Sequence, residues 1–142
     1  MTTRQAESGI PDDEAVYRSI SVEDVVDGDV QAHAVDMPRC SFNRSRFSRP
    51  RDVLVSTRPH DNGVVQITPG ELPPPIPRDG GRPYMFYAAD DPIPENNAHC
   101  EVRIKPVETE FNTNHKVNKA IRAKARSELA RRLHIVIAPR PV

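Results

Sequence analysis

The chain has 142 residues, with 20 Lys+Arg against 20 Asp+Glu, 37% hydrophobic residues, 5% aromatics and 15 Pro, which suits one domain of modest core with part of the chain lying outside it. No run approaches the roughly 20 apolar residues of a membrane span, and residues 1–10 lack the apolar stretch of a secretory signal, so a soluble, cytoplasmic protein without membrane contact is expected. Cys40 and Cys100 stand far apart with no CxxC spacing, which argues against a disulfide framework or a zinc module and for reduced thiols.

Residues 1–13 are polar and aperiodic and read as a disordered tail, leaving 14–142 as a single domain. Ala15–Ile20 is β-prone, Ser21–Asp24 supports one helical turn, Asp27–Gly28 is a turn signal, and Val30–Val35 reads as a second strand. Arg39–Arg49 has too few aliphatics for a core strand, and Ser48–Val55 starts a short helix with Pro50 in its first turn. Gly63–Thr68 is a clear strand, followed by a Pro-rich loop at 69–83 that cannot donate ladder bonds and is read as a spacer. Tyr84–Ala89 is an apolar strand. Along Ala98–Lys105, Ala98, Cys100, Val102 and Ile104 share one face, which makes Cys100 a buried thiol. Asn112 or Thr113 can cap a helix running from about 114 to 132, whose apolar positions Val117, Ile121, Ala125, Leu129 and Leu133 recur every four residues. A last strand runs from Leu133 to Pro139. The order predicts an α+β fold: a small, mostly antiparallel sheet of five or six strands covered by a C-terminal amphipathic helix.

Zero net charge hides segregation. Residues 1–36 hold nine acids against Arg4 and Arg18, residues 37–58 hold six arginines against Asp52, and from Asn114 onward eight bases face Glu128 alone. Such blocks can pair within the monomer or dock partners of both signs. The segment Arg39–Arg51 interleaves Arg44, Arg46, Arg49 and Arg51 with Phe42 and Phe47, a composition suited to phosphate and unpaired bases; Lys119, Arg122 and Arg126 form a second basic surface on the predicted helix. Equally, the two Phe rings can anchor a loop whose arginines answer the acidic blocks.

Asp90–Glu101 packs carboxylates, amides and an imidazole around Pro92 and Pro94. Because an imidazole ordinarily titrates near neutral pH, His99 is a candidate general acid or base, with Asp91 or Glu95 to orient it. The spacing of His60, His99, His115 and Asp90 supports no metal site, and no Gly-rich phosphate loop calls for a cofactor.

Tyr17-Arg18, Ser41-Phe42 and Glu108-Thr109-Glu110 follow one another in the order of the Arg, Ser and Glu-x-Glu motifs of arginine-specific ADP-ribosyltransferases, which they resemble. The resemblance would make Arg18 the ligand of the dinucleotide phosphates, Ser41 the support of the catalytic acid and Glu110 that acid. The Ser-Thr-Ser triplet is missing, Arg18 and Ser41 are closer in sequence than that fold allows, and a basic helix follows where such domains end.

Two functions are therefore expected. The first is a non-enzymatic accessory module of a larger cytoplasmic assembly, docking a protein partner through its charge-segregated surfaces. The second is a small enzyme acting on a nucleotide or RNA phosphodiester, with His99 as general acid or base and the Arg39–Arg51 segment as phosphate clamp, the resemblance to ADP-ribosyltransferases adding Arg18 and Glu110 as catalytic candidates.

Overall fold

The computed structural model describes residues 3–78, 80–109 and 116–142. Its elements in chain order are β1 (Val16–Ile20), β2 (Val25–Val26), β3 (Asp29–Val30), β4 (Arg39–Arg44), β5 (Gly63–Ile67), β6 (Tyr84–Asp90), β7 (His99–Pro106), α1 (Lys119–Arg132) and β8 (His134–Ile137). β2 and β3 form a small hairpin closed by Asp27 and Gly28, both at positive φ, the conformation a tight hairpin turn requires. The other six strands make one antiparallel sheet in the order β6-β7-β4-β1-β5-β8. This is the predicted α+β fold.

Strand alternation gives the sheet two unlike faces. Val16 and Ile20 of β1, Phe42 of β4, Val65 and Ile67 of β5, and Cys100, Val102 and Ile104 of β7 share one buried core with Ile121, Ala125 and Leu129 of α1. The helix begins where the Asn118 side chain accepts the Ile121 amide at 2.9 Å, and it lies on a 3-10 turn at Ala32–Ala34. The other face carries Tyr17 and Ser19, Ser41 and Asn43, and His99, Glu101 and Arg103, on three adjacent strands. Among the described residues no helix is long and apolar enough to cross a membrane.

Four expectations change. The run Val30–Val35 leaves the strand after Val30 and turns, because Ala34 and Val35 are buried in the core cluster that includes α1. Arg39–Arg44 is a central strand, although only Cys40 and Phe42 give it an apolar face, because its third inward side chain, Arg44, is neutralised internally. Residues 3–13 are not a free tail: Ile10 joins the core, Arg4 forks onto the Asp90 carboxylate with two bonds of 2.6 Å, and Glu7 bonds Arg44 at 2.7 Å. The helix starts at Lys119 rather than near 114, since Asn118 supplies the cap; the expected caps Asn112 and Thr113 lie outside the described residues.

Candidate functional site

β1 and β4 pair only at Val16↔Arg44 and Tyr17↔Asn43 and then part. Arg18 bridges the gap: its Nε donates to the Ala34 carbonyl and its Nη1 to the Ser41 carbonyl, each at 3.0 Å, and its Nη2 reaches Asp36 at 3.4 Å. The parting opens a cleft of about 230 Å3, lined on the polar side by Tyr17, Ser41, Asn43 and His99 and bounded across the opening by Val55 and Arg58.

His99 opens β7 opposite Asn43, which sets it diagonally beside Ser41 on the same face. Its Nε2 is 3.2 Å from Ser41 Oγ, and its Nδ1 is 2.8 Å from the Asp91 carbonyl oxygen and 3.1 Å from Asp91 Oδ2. Both Asp91 groups are acceptors, so in the neutral form of the ring it is Nδ1 that carries the proton, and Nε2 is left to accept from the Ser41 hydroxyl. The turn before β7 fixes this tautomer. The Asp91 amide donates to the His99 carbonyl at 3.1 Å, Ile93 and Asn96 exchange backbone bonds, and the Asn96 side chain donates to Asn43 Oδ1 at 2.7 Å. The two prolines thus hold a clasp that presents Asp91 to the imidazole.

Glu101 stands directly opposite Ser41. Burial alone would raise its carboxyl, but hydrogen bonds from Arg103 at 2.7 Å and Arg39 at 3.0 Å hold it below the usual carboxylate range. Asp91, His99 and Glu101 each bring one ligand atom within 4.8 Å of the others, so a metal ion could be held here. Glu101 Oε1 is already shared by the two guanidinium groups, which compete with such an ion.

The other sequence candidates are scattered. Arg44 is fully buried, bonded to Glu14 at 2.7 and 2.8 Å and to Glu7 at 2.7 Å, and lies 3.3 Å from Asp90; it is a core ion, out of reach of a phosphate. Arg46 is exposed, paired with Glu7 at 2.8 Å. Arg49 caps the 3-10 turn Pro50–Val53, and with Arg51 it lies against Val136 and Ile137 of β8. Lys119, Arg122 and Arg126 are on α1, across the sheet from Ser41 and His99, so the two basic surfaces do not converge.

Of the residues carrying the ADP-ribosyltransferase resemblance, Arg18 and Ser41 do meet, through a backbone carbonyl, with the guanidinium committed to protein groups. Glu110 lies outside the described residues. Reading the sequence found His99 and Asp91 but overlooked Asn43, Asn96 and Arg58. Alternation of Arg39, Ser41 and Asn43 with Cys40 and Phe42 is the signal that could have placed the first of these on the His99 face. Comparison with protein-family models, curated proteins and solved structures finds no match for this chain.

Proposed function

We propose that this protein is a small enzyme that cleaves or transfers an ester through Ser41, with His99 as general base and Asp91 as its orienter. One observation carries the reading: the hydrogen-bonded run from Ser41 Oγ through His99 to Asp91, with its serine end open to a cleft. As Oγ bonds to the ester carbon or phosphorus, its proton passes to His99 Nε2, and the imidazolium is held by Asp91 on its other nitrogen. His99 then protonates the leaving oxygen. Water, deprotonated by the same nitrogen, releases the group and restores the Ser41 hydroxyl. Arg18 keeps the Ser41 carbonyl engaged, and because N–H and C=O of one strand residue point to the same side, the Ser41 amide also faces the gap between β1 and β4, where it can stabilise a developing oxyanion.

The test is labelling by a fluorophosphonate probe together with hydrolysis of activated aryl esters. Label on Ser41 is expected in the native protein, His99→Ala should lower its rate by roughly 10²- to 10⁴-fold, and Asp91→Asn should lower it less, because the backbone carbonyl still holds Nδ1. Absence of label at Ser41 would overturn the reading.

A second reading, the accessory module, is favoured by α1. Lys119, Arg122 and Arg126 fall on one stripe of the helix and have no ion pair among the described residues, whereas Lys124, Arg131 and Arg132 all converge on Glu128. That stripe suits an acidic protein segment in a cytoplasmic assembly. Reversing it to Glu should abolish capture by such a segment while leaving Ser41 labelling intact. Steeply salt-dependent RNA binding would instead favour nucleic acid as the partner.

A further inference from the structure

Four charged or chargeable side chains line the cleft beside Ser41: Arg18, Asp52, Arg58 and His99. Three are committed. Arg18 spends its donors on Ala34, Ser41 and Asp36, Asp52 accepts the Arg49 amide at 2.7 Å, and His99 is held between Ser41 and Asp91. Arg58 is different: among the described residues its guanidinium has no ion pair, hydrogen bond or ring contact, yet its backbone is fixed at both ends. Its amide donates to the Val55 carbonyl and its carbonyl accepts from the Asp61 amide, each at 3.1 Å.

We infer that the cleft selects substrates bearing an anionic group, a carboxylate or a phosphate, which Arg58 grips while Ser41 attacks the ester. This rests on the reading of Ser41 as the nucleophile and names the substrate class for that site. A free guanidinium on an anchored backbone is a planar fork matched to two oxygens of one anion, and little of its side-chain freedom is needed for anything else. The rest of the cleft agrees. Tyr17 and Ser19 add hydroxyls with no partner among the described residues, while the apolar wall consists of little more than Val53 and Val55, too small to recognise an acyl chain by burial. Arg18 is already paired with Asp36, so among the described lining residues Arg58 is the arginine left to meet an anion.

The experiment compares p-nitrophenyl acetate, a neutral ester, with the mono-p-nitrophenyl ester of succinate and the p-nitrophenyl ester of phosphonoacetate on the full chain. The anionic esters should show kcat/KM about 10- to 100-fold above the acetate, and Arg58→Ala should erase that preference by lowering the anionic esters far more than the acetate. Arg58→Lys should keep part of it. The ester whose preference is larger identifies carboxylate or phosphonate as the better anion. Separately, succinate and methyl phosphate are titrated into Ser41→Ala and followed by amide chemical shifts around Tyr17 and Arg58. Saturable shifts that disappear in Ser41→Ala/Arg58→Ala support the anion site even if no ester is turned over, in which case the nucleophile reading alone fails. Turnover without anionic preference, an equal loss on all three esters in Arg58→Ala, or no saturable shift with either anion would overturn the inference.

Discussion

Arg44 has the most unusual environment of any side chain described: fully buried, yet charged and surrounded by Glu7, Glu14 and Asp90. An isolated guanidinium could not stay there; three carboxylates and well-formed hydrogen bonds make it tolerable. Arg44→Ala should cost on the order of 3 to 5 kcal/mol, since it strands buried carboxylates rather than merely deleting a contact; chemical denaturation measures it. The pH dependence follows from the same group. Burial would raise the Asp90 carboxyl, but Arg4 and the Glu7 amide hold it below the usual range, and the hydrogen bond from Arg44 lowers Glu7. Folded-state values below unfolded ones mean the unfolded chain binds more protons in acid, so this stability is fully present above the unfolded carboxylate value near ~4 and is lost as pH falls through the lowered values. Asp90→Asn should flatten that acid slope in denaturation midpoints followed from pH 7 downward. The cysteines supply a simpler check at the same scale. Burial pushes both thiols up, Cys100 far more strongly, so neither should react with a disulfide reagent until the chain unfolds.

At the scale of elements, what could be read from the sequence was whatever local periodicity decides. In α1 the four-residue spacing of Ile121, Ala125 and Leu129 is the buried stripe, and in β7 Cys100, Val102 and Ile104 alternate into the core as read. Leu129, without exposed surface, should cost about 2 to 5 kcal/mol when cut to Ala, while the half-exposed Arg122→Ala should stay within about 0.5 kcal/mol, and thermal melts separate the two. β4 was illegible for a physical reason. Its inward Arg44 depends on Glu7, Glu14 and Asp90, partners at least thirty residues away, and no window of sequence contains the pairing that makes the strand tolerable in a core. The candidate site divides the same way. Asp91 and His99 sit on either side of one Pro-clasped turn and could be paired by eye, whereas Ser41 reaches His99 only through the β4–β7 register, and Arg58 joins them only because β1 and β4 part.

For the molecule as a whole, the alternating acidic and basic blocks find much of their complement inside the fold: acids of the first block hold Arg44 and Arg46, Arg4 returns to Asp90, and the segment carrying them closes over the ends of β4 and β6. Phe47 is part of that closure, with Arg4 stacked 4.0 Å from its ring centroid. The two faces of the sheet then serve separate ends, one packed by α1 and one left polar for the cleft, and the N-terminal segment connects them through adjacent residues. Asp90 is its buried anchor, and Asp91, the next residue, orients His99. Deleting residues 1–13 removes Ile10 from the core, Glu7 from Arg44 and the Arg4 fork from Asp90 together. A loss on the order of 3 to 5 kcal/mol corresponds, for a domain of this size, to a fall in melting temperature of about 10 °C. A truncated chain melting within about 2 °C of the full one would show that these contacts add nothing to the fold. The same deletion should also slow labelling of Ser41 at a temperature where the truncated chain is still folded, because freeing Asp90 loosens the strand end that sets Asp91 against His99 Nδ1. Restored labelling on lowering the temperature further would assign the loss to unfolding alone, whereas a deficit that persists in a fully folded sample would establish that the N-terminal segment positions the site through Asp90 and through the Asn97 carbonyl, to which Arg4 donates at 2.8 Å.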